Sequence, residues 1–229
     1  MIVETDSYMV RSASSNSNDI YWEQDLYPAW SAISTFIHHP VGRTGGGTEP
    51  HYHDADEVWL FATGRGEAWL DGVSHEVTPG TLVYTPMGVV HRFQMFSDWQ
   101  TASIVTRLER QKRPIHILVE EHGPPEPTVP GFVAPGELNV GPIPDPGSRC
   151  PFSEIREVEF VAGQRLNEET LRSNESWLVQ DGTVTLTIDG WTTQLSAGDV
   201  AVLRTGVVRG ILSDRGALVA LARERTPQI

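Results

Sequence analysis

Cysteine is almost missing from this chain: Cys150 stands alone, so no disulfide can form within it. The first thirty residues lack the basic and apolar regions of a secretory leader, and nowhere do about 18 to 20 apolar residues run together as a membrane-spanning helix requires. A soluble, cytoplasmic protein with no membrane partner is expected. Positive charge is also scarce. Seventeen Lys and Arg stand against 30 Asp and Glu, and a net charge of -13 repels polyanions, so nucleic acid is not an expected partner. Helical periodicity is weak throughout, and 167–173 offers no more than a short turn. Histidine is absent beyond His122, which confines imidazole chemistry to the N-terminal half. At 229 residues the chain is long enough to bury an apolar core without a covalent staple.

What fills the chain is β texture. Short runs rich in Val, Ile, Thr and aromatics alternate with Gly, Pro, Asp and Asn. Strands are predicted at 31–38, 57–63, 66–71, 73–77, 81–85, 90–96 and 101–107, with Asp71-Gly72 as a hairpin turn. From His122 to Cys150 eight prolines replace that pattern, which reads as a linker or surface strap. Strand texture resumes at Ser153, with Asp189-Gly190 as a second hairpin turn. The expected division is an N-terminal arm (1–19), a first barrel (20–121), a proline-rich linker (122–152) and a second barrel (153–229).

The two β units are copies. At a gap-free offset of 118 residues, Gly45 meets Gly163, Glu57 meets Glu175 and Trp59-Leu60 meets Trp177-Leu178. Gly64, Asp71-Gly72, Gly80 and Gly88-Val89-Val90 then meet Gly182, Asp189-Gly190, Gly198 and Gly206-Val207-Val208. Identities concentrated at turns point to duplication of one structural unit.

In an extended segment residues two apart share a face, so His51 and His53 point the same way. Glu57 has the same parity and reaches the same point after a bend, while His91 opens a later strand behind Pro86 and Gly88. A His-x-His pair alone is a weak signal. Joined to a glutamate four residues on and a distant histidine behind a Pro-x-Gly turn, it describes a site for one divalent metal. Imidazole and carboxylate donors suit Fe(II), Mn(II), Ni(II), Co(II), Cu(II) or Zn(II) and leave coordination positions open.

These residues resemble the cupin superfamily. Its first motif, a glycine, five residues, His-x-His, three residues, Glu, six residues and Gly, is matched by Gly45, His51, His53, Glu57 and Gly64; its second by Gly80, Pro86, Gly88 and His91, with Met95 in place of the usual closing asparagine. The resemblance implies an all-β fold of two tandem jelly-roll barrels, a bicupin. In the second copy Glu169, Leu171 and Arg209 stand where the histidines would be and only Glu175 survives. That barrel is expected to be metal-free, with Glu175 paired to Arg209 inside it or, as the alternative, Arg209 pointing to solvent.

Phe36, His38, Tyr84, Phe93 and Met95 lie near the ligands in sequence, most of them expected in the core and any of them a candidate for the pocket wall, while His38-His39 is a candidate rim feature; His75, His116 and His122 have no partner spacing. The resemblance implies a metal-dependent enzyme acting on a small organic molecule, foremost an Fe(II) dioxygenase with Glu57 as catalytic base. An isomerase, lyase or cyclase that consumes no oxygen is the alternative, and a non-catalytic ligand-binding cupin the second. A homodimer is the assembly the family suggests.

Overall fold

In the computed structural model, residues 2–12, 27–53, 55–106, 117–123, 132–134 and 151–225 are described. They divide into two compact units: one contains the described residues of 33–134, the other those of 2–12, 27–32 and 151–225. Among them no helix is long and apolar enough to cross a membrane.

The described residues of the first unit form ten strands and one short helix: β3 (Ile33–Gly42), β4 (His51–Tyr52), β5 (Glu57–Thr63), β6 (Gly66–Leu70), β7 (Val73–Val77), β8 (Leu82–Thr85), β9 (His91–Met95), β10 (Trp99–Thr106), β11 (Ile117–Leu118), α1 (Val119–His122) and β12 (Phe132–Ala134). They form two antiparallel sheets, ordered β12-β8-β5-β10-β3 and β11-β4-β9-β6-β7. Alternate residues of each sheet turn inward, and Trp59, Phe61 and Val83 of one meet Ala68, Leu70, Val77, Phe93 and Met95 of the other.

The second unit takes β13 (Phe152–Phe160), β14 (Gln164–Thr170), β15 (Glu175–Ile188), β16 (Trp191–Ser196), β17 (Val200–Leu203), β18 (Val208–Ser213) and β19 (Ala217–Glu224). Its core joins Trp177, Val179, Leu186, Ile188, Leu203, Val219 and Leu221. The expected duplication is visible in the backbone. Asp71 and Asp189 sit at φ 48° and 47°, followed by Gly72 at 79° and Gly190 at 82°, the signature of a tight Asp-Gly hairpin. At Gly64 and Gly182 φ is also positive, and an added Cβ would lie 2.9 Å from the Asp98 carbonyl or 2.3 Å from that of Gly216, so only glycine fits.

Three boundaries differ from the sequence expectation. The N-terminal arm is no arm: β1 (Ile2–Glu4) and β2 (Tyr8–Arg11) are strands of the second unit, where β2 pairs with β17 and Val10 enters the core. A four-residue run gives too little periodicity to reveal such pairing. Ser31 and Ala32 both donate to Glu224 Oε1, which assigns them to the second unit as well. Within the proline-rich segment, β12 pairs along β8, and the second unit's own strand begins at Phe152. Residues 124–131 and 135–150 of the expected linker lie outside the described residues. The expected short turn at 167–173 is largely strand β14, because pairing with β18 overrides local propensity.

Glu157 on β13 is buried, 2 % exposed, and accepts a hydrogen bond from Gln180 Nε2 at 2.8 Å. Burial pushes its carboxyl above the ordinary range and that hydrogen bond offsets only part of the effect. A raised carboxyl holds its proton in the folded state after the unfolded chain has lost it, so stability falls as pH rises through that interval. Glu157→Gln is therefore expected to raise Tm at pH 7, at about 2–4 °C per kcal/mol for a chain this long, with the gain shrinking near pH 4. Thermal melts at the two pH values check this.

Candidate metal centre

Strand pairing assembles the site. His51 of β4 lies directly opposite His91 of β9, and their ring centroids are 4.2 Å apart. His53 sits 5.0 Å from His51 and 5.1 Å from His91, and Glu57 opens β5 on the facing sheet. One potential ligand atom from each of the four residues lies within 4.8 Å of the others, and all four residues are 4 % exposed or less. The four predicted ligands thus converge.

Their orientation is fixed from behind. His51 Nδ1 lies 2.6 Å from the Glu49 carbonyl and His91 Nδ1 lies 2.9 Å from that of Val89. A carbonyl only accepts, so each Nδ1 carries a hydrogen and each Nε2 is directed at the centre, its lone pair available to a metal once no proton occupies it. Glu57 Oε2 is 2.8 Å from His91 Nε2 and 3.2 Å from His53 Nε2. Burial pushes the Glu57 carboxyl up, but the charge of His53 and the hydrogen bonds of His53 and His91 more than reverse this and hold it well below the usual carboxylate range. Its other oxygen, Oε1, is buried with no hydrogen-bond partner among the described residues. An ionised oxygen left without a donor is costly, and a cation at the meeting point would satisfy it. The donor set and this orphaned oxygen fit a divalent metal.

Asp56 braces the ligand-bearing turns. It accepts from the Tyr84 hydroxyl at 2.7 Å and the Met87 N–H at 2.8 Å, and Gly88 N–H donates to the His53 carbonyl at 2.8 Å. The strand carrying Glu57 is thereby tied to the Pro86-x-Gly88 turn that precedes His91. Sequence reading missed this role of Asp56, which only the fold reveals.

The expected pocket wall needs correction. Phe36 pairs with Ile104, and Ile104 and Tyr84 both pair with Val58. Val58 follows Glu57 and points to the opposite face, so Phe36, His38 and Tyr84 lie on the outer side of the sheet. Phe93 and Met95 do belong to the inner core. On the inner side stands His39 instead, stacked on Trp59 at 5.4 Å and 3.2 Å from Ser103 Oγ. Counting by twos from Glu57 finds Trp59, but His39 requires the β3-β10 register. His75 is partly buried on β7 opposite Ala68, and His116 lies outside the described residues.

In the second barrel the expected ion pair is present and larger. Glu175 Oε2 accepts from Arg209 Nε at 3.3 Å, Arg209 Nη2 at 3.2 Å and Trp177 Nε1 at 3.0 Å, while Oε1 accepts from Arg223 at 2.7 Å and 3.0 Å. Arg209 also binds Glu169 at 2.5 Å, and Arg223 binds Glu154. Two guanidiniums meet the carboxylate that corresponds to Glu57.

Comparison with known proteins agrees with this geometry. Residues 42–104, within the first unit, match the family model described as Cupin domain. A 77-residue stretch is 38 % identical to the uncharacterized protein y4oW of Sinorhizobium fredii (strain NBRC 101917 / NGR234); it spans 33 % of this chain and only 36 % of that protein. Among solved structures, a protein of Pseudomonas aeruginosa named as glyoxylate-induced superposes over 100 % of this chain and 94 % of its own, with TM-score 0.61 and 17 % identity. A variant of oxalate decarboxylase from Bacillus subtilis gives 0.61 and 12 %, covering 98 % of this chain and 74 % of that one. A salicylate 1,2-dioxygenase variant from Pseudoaminobacter salicylatoxidans in complex with gentisate gives 0.56 and 13 %, over 98 % and 84 %. At these identities the structural likeness defines the fold.

Arg209→Met removes one of the two guanidiniums from a carboxylate that is 2 % exposed, and is expected to destabilise the second barrel by about 3 kcal/mol, the low end for a broken buried pair because Arg223 remains. Combining it with Glu175→Gln should recover part of that loss. Denaturant midpoints of the two variants check it.

Proposed function

We propose that this protein is a metal-dependent oxygenase acting on a small organic molecule, with Fe(II) held by His51, His53, Glu57 and His91. The observation that carries the reading is the buried set of three imidazoles and one carboxylate, two of whose rings are held in the ligating tautomer by backbone carbonyls. The likeness to a salicylate dioxygenase supports oxygen chemistry. When bound, the iron would supply open positions at which substrate and dioxygen are oriented together. The chain's residues do the rest. His51, His53 and His91 serve as nitrogen ligands, and Glu57, the one carboxylate in the set, takes the substrate's proton. Phe93, Trp59 and Phe61 keep the inner wall apolar and exclude water from it. The likeness to oxalate decarboxylase favours a second reading, a lyase that consumes no oxygen.

Metal analysis by mass spectrometry on anaerobically purified protein tests the proposal, with His51→Ala and His91→Ala as controls. Near-stoichiometric iron, lost in both variants, together with oxygen uptake on adding gentisate or salicylate, is the expected result. Zinc or manganese without oxygen uptake would favour the lyase, and no bound metal would overturn both readings. Glu57→Gln is expected to lower turnover by about 100-fold or more while metal content falls far less, as the loss of a general base requires; unchanged turnover would remove Glu57 from the base role.

A further inference from the structure

The strand that carries His51 has little ladder of its own. β4 is two residues long, and a single register pair, His51 with His91, ties it to β9. The next contacts upstream are the bridge of Gly47 to Gln94 and the Thr48 N–H on the Phe93 carbonyl, with Glu49 and Pro50 between. At the offset of 118 residues the counterpart in the second barrel is β14, a seven-residue strand. It pairs with β18 at five register positions, Glu169 opposite Arg209 among them. Ladder bonds hold a strand by their number, so β4 is the weaker of the two on this edge.

Its other edge is held by β11. Ile117 lies opposite Tyr52 and Leu118 opposite His51, so β4 has more register pairs with β11 than with β9. Ile117 is buried, which anchors the short strand. Immediately after it Val119, the first residue of α1, donates its N–H to the Pro50 carbonyl at 3.1 Å. In the second barrel β14 ends its sheet, and among the described residues no strand pairs with its other edge.

Pro50 connects this contact to the metal centre. The carbonyl before it, that of Glu49, accepts from His51 Nδ1 at 2.6 Å and aims the ring. Its own carbonyl accepts from Val119. The proline ring fixes φ and peptide units are planar, so ψ of Pro50 is the one soft dihedral between the two carbonyls. A hydrogen bond that holds the Pro50 carbonyl therefore also limits the Glu49 carbonyl and the His51 ring.

We infer that residues 117–119 form a clasp that positions His51 for metal binding, through Leu118 beside it and the Val119 N–H on Pro50. The clasp supplies no ligand and acts through the backbone of the ligand strand. This rests on the metal reading proposed above and adds the element that pre-forms its site. The strand with a ligand to hold is thus paired on both edges, while β14, which carries none, is paired on one.

Linkage makes the clasp testable from both ends, since a clasp that favours metal binding must itself be tightened by bound metal. Zinc is the probe, with its affinity for the full-length protein measured by competition with a chelator. Val119→Pro is the direct variant, because proline is tolerated at a first helical position and Leu118, at φ -68° and ψ 130°, already has the extended backbone that a following proline requires. Expected is zinc binding about fivefold weaker, the scale of one net hydrogen bond, with Val119→Ala, which keeps the N–H, matching the wild type. In wild-type protein, hydrogen exchange across 117–123 is expected to slow by a similar factor when zinc is added, a measurement that decides the matter even if Val119→Pro fails to fold. Equal zinc affinity in Val119→Pro and wild type, or exchange across 117–123 that zinc does not change, would overturn the clasp and leave the metal reading standing. Equal weakening in Val119→Ala and Val119→Pro would place the effect in the side chain and overturn it too. Wild-type protein that holds no zinc would overturn the metal reading and the clasp with it.

Discussion

A carboxylate removed entirely from water has to be met by positive charge or by several donors, and Glu57 at 0 % exposure sets that condition for the whole first barrel. The answer is assembled from two sheets. Glu57 comes from one and the facing pair His51 and His91 from the other, so the inner faces must pack in one register for charge to be balanced. The carbonyls of Glu49 and Val89 and the bracing by Asp56 follow from the same need, since a ligand that swung away would leave the carboxylate uncompensated.

Duplication put an equivalent carboxylate into the second barrel, where the same condition is met by different chemistry. Glu175 is approached by Arg209 from the strand equivalent to that of His91. Arg223 approaches from the position directly paired with Glu175, where the first barrel has Val105 beside Glu57. A guanidinium brings a permanent charge and several donors on one plane, so it satisfies both carboxylate oxygens and leaves no open coordination position. One scaffold with matching positive-φ turns therefore carries a centre open to exchange and a centre closed by arginine. The difference lies in three side chains at the ligand positions and one on the neighbouring strand.

Much of this was legible in the sequence because it is local. Turn glycines, Asp-Gly hairpins and the period of two place His51, His53 and Glu57 together without knowledge of pairing, and the offset of 118 residues exposes the missing ligands of the second copy. What could not be read depends on register between distant strands. Val58 decides that Phe36, His38 and Tyr84 face outward, and only the β3-β10 pairing shows that His39 faces inward. The alignment of ligand positions likewise finds Arg209 but not Arg223 or Glu154, which enter the network from β19 and β13. The attachment of β2 to β17 was hidden for the same reason, as a four-residue strand carries almost no pattern of its own.

That attachment bears on how the chain folds. Tyr8 finds its partner Leu203 only across 195 positions of sequence. The second barrel thus closes late, and its stability is tied to a loop spanning most of the polypeptide, a long-range contact of the kind that slows folding. Until it forms, β17 presents an unpaired edge of Val200, Ala201, Val202 and Leu203, four apolar residues in a row. Such an edge is a template for pairing with other chains, so the two short N-terminal strands serve as its cover.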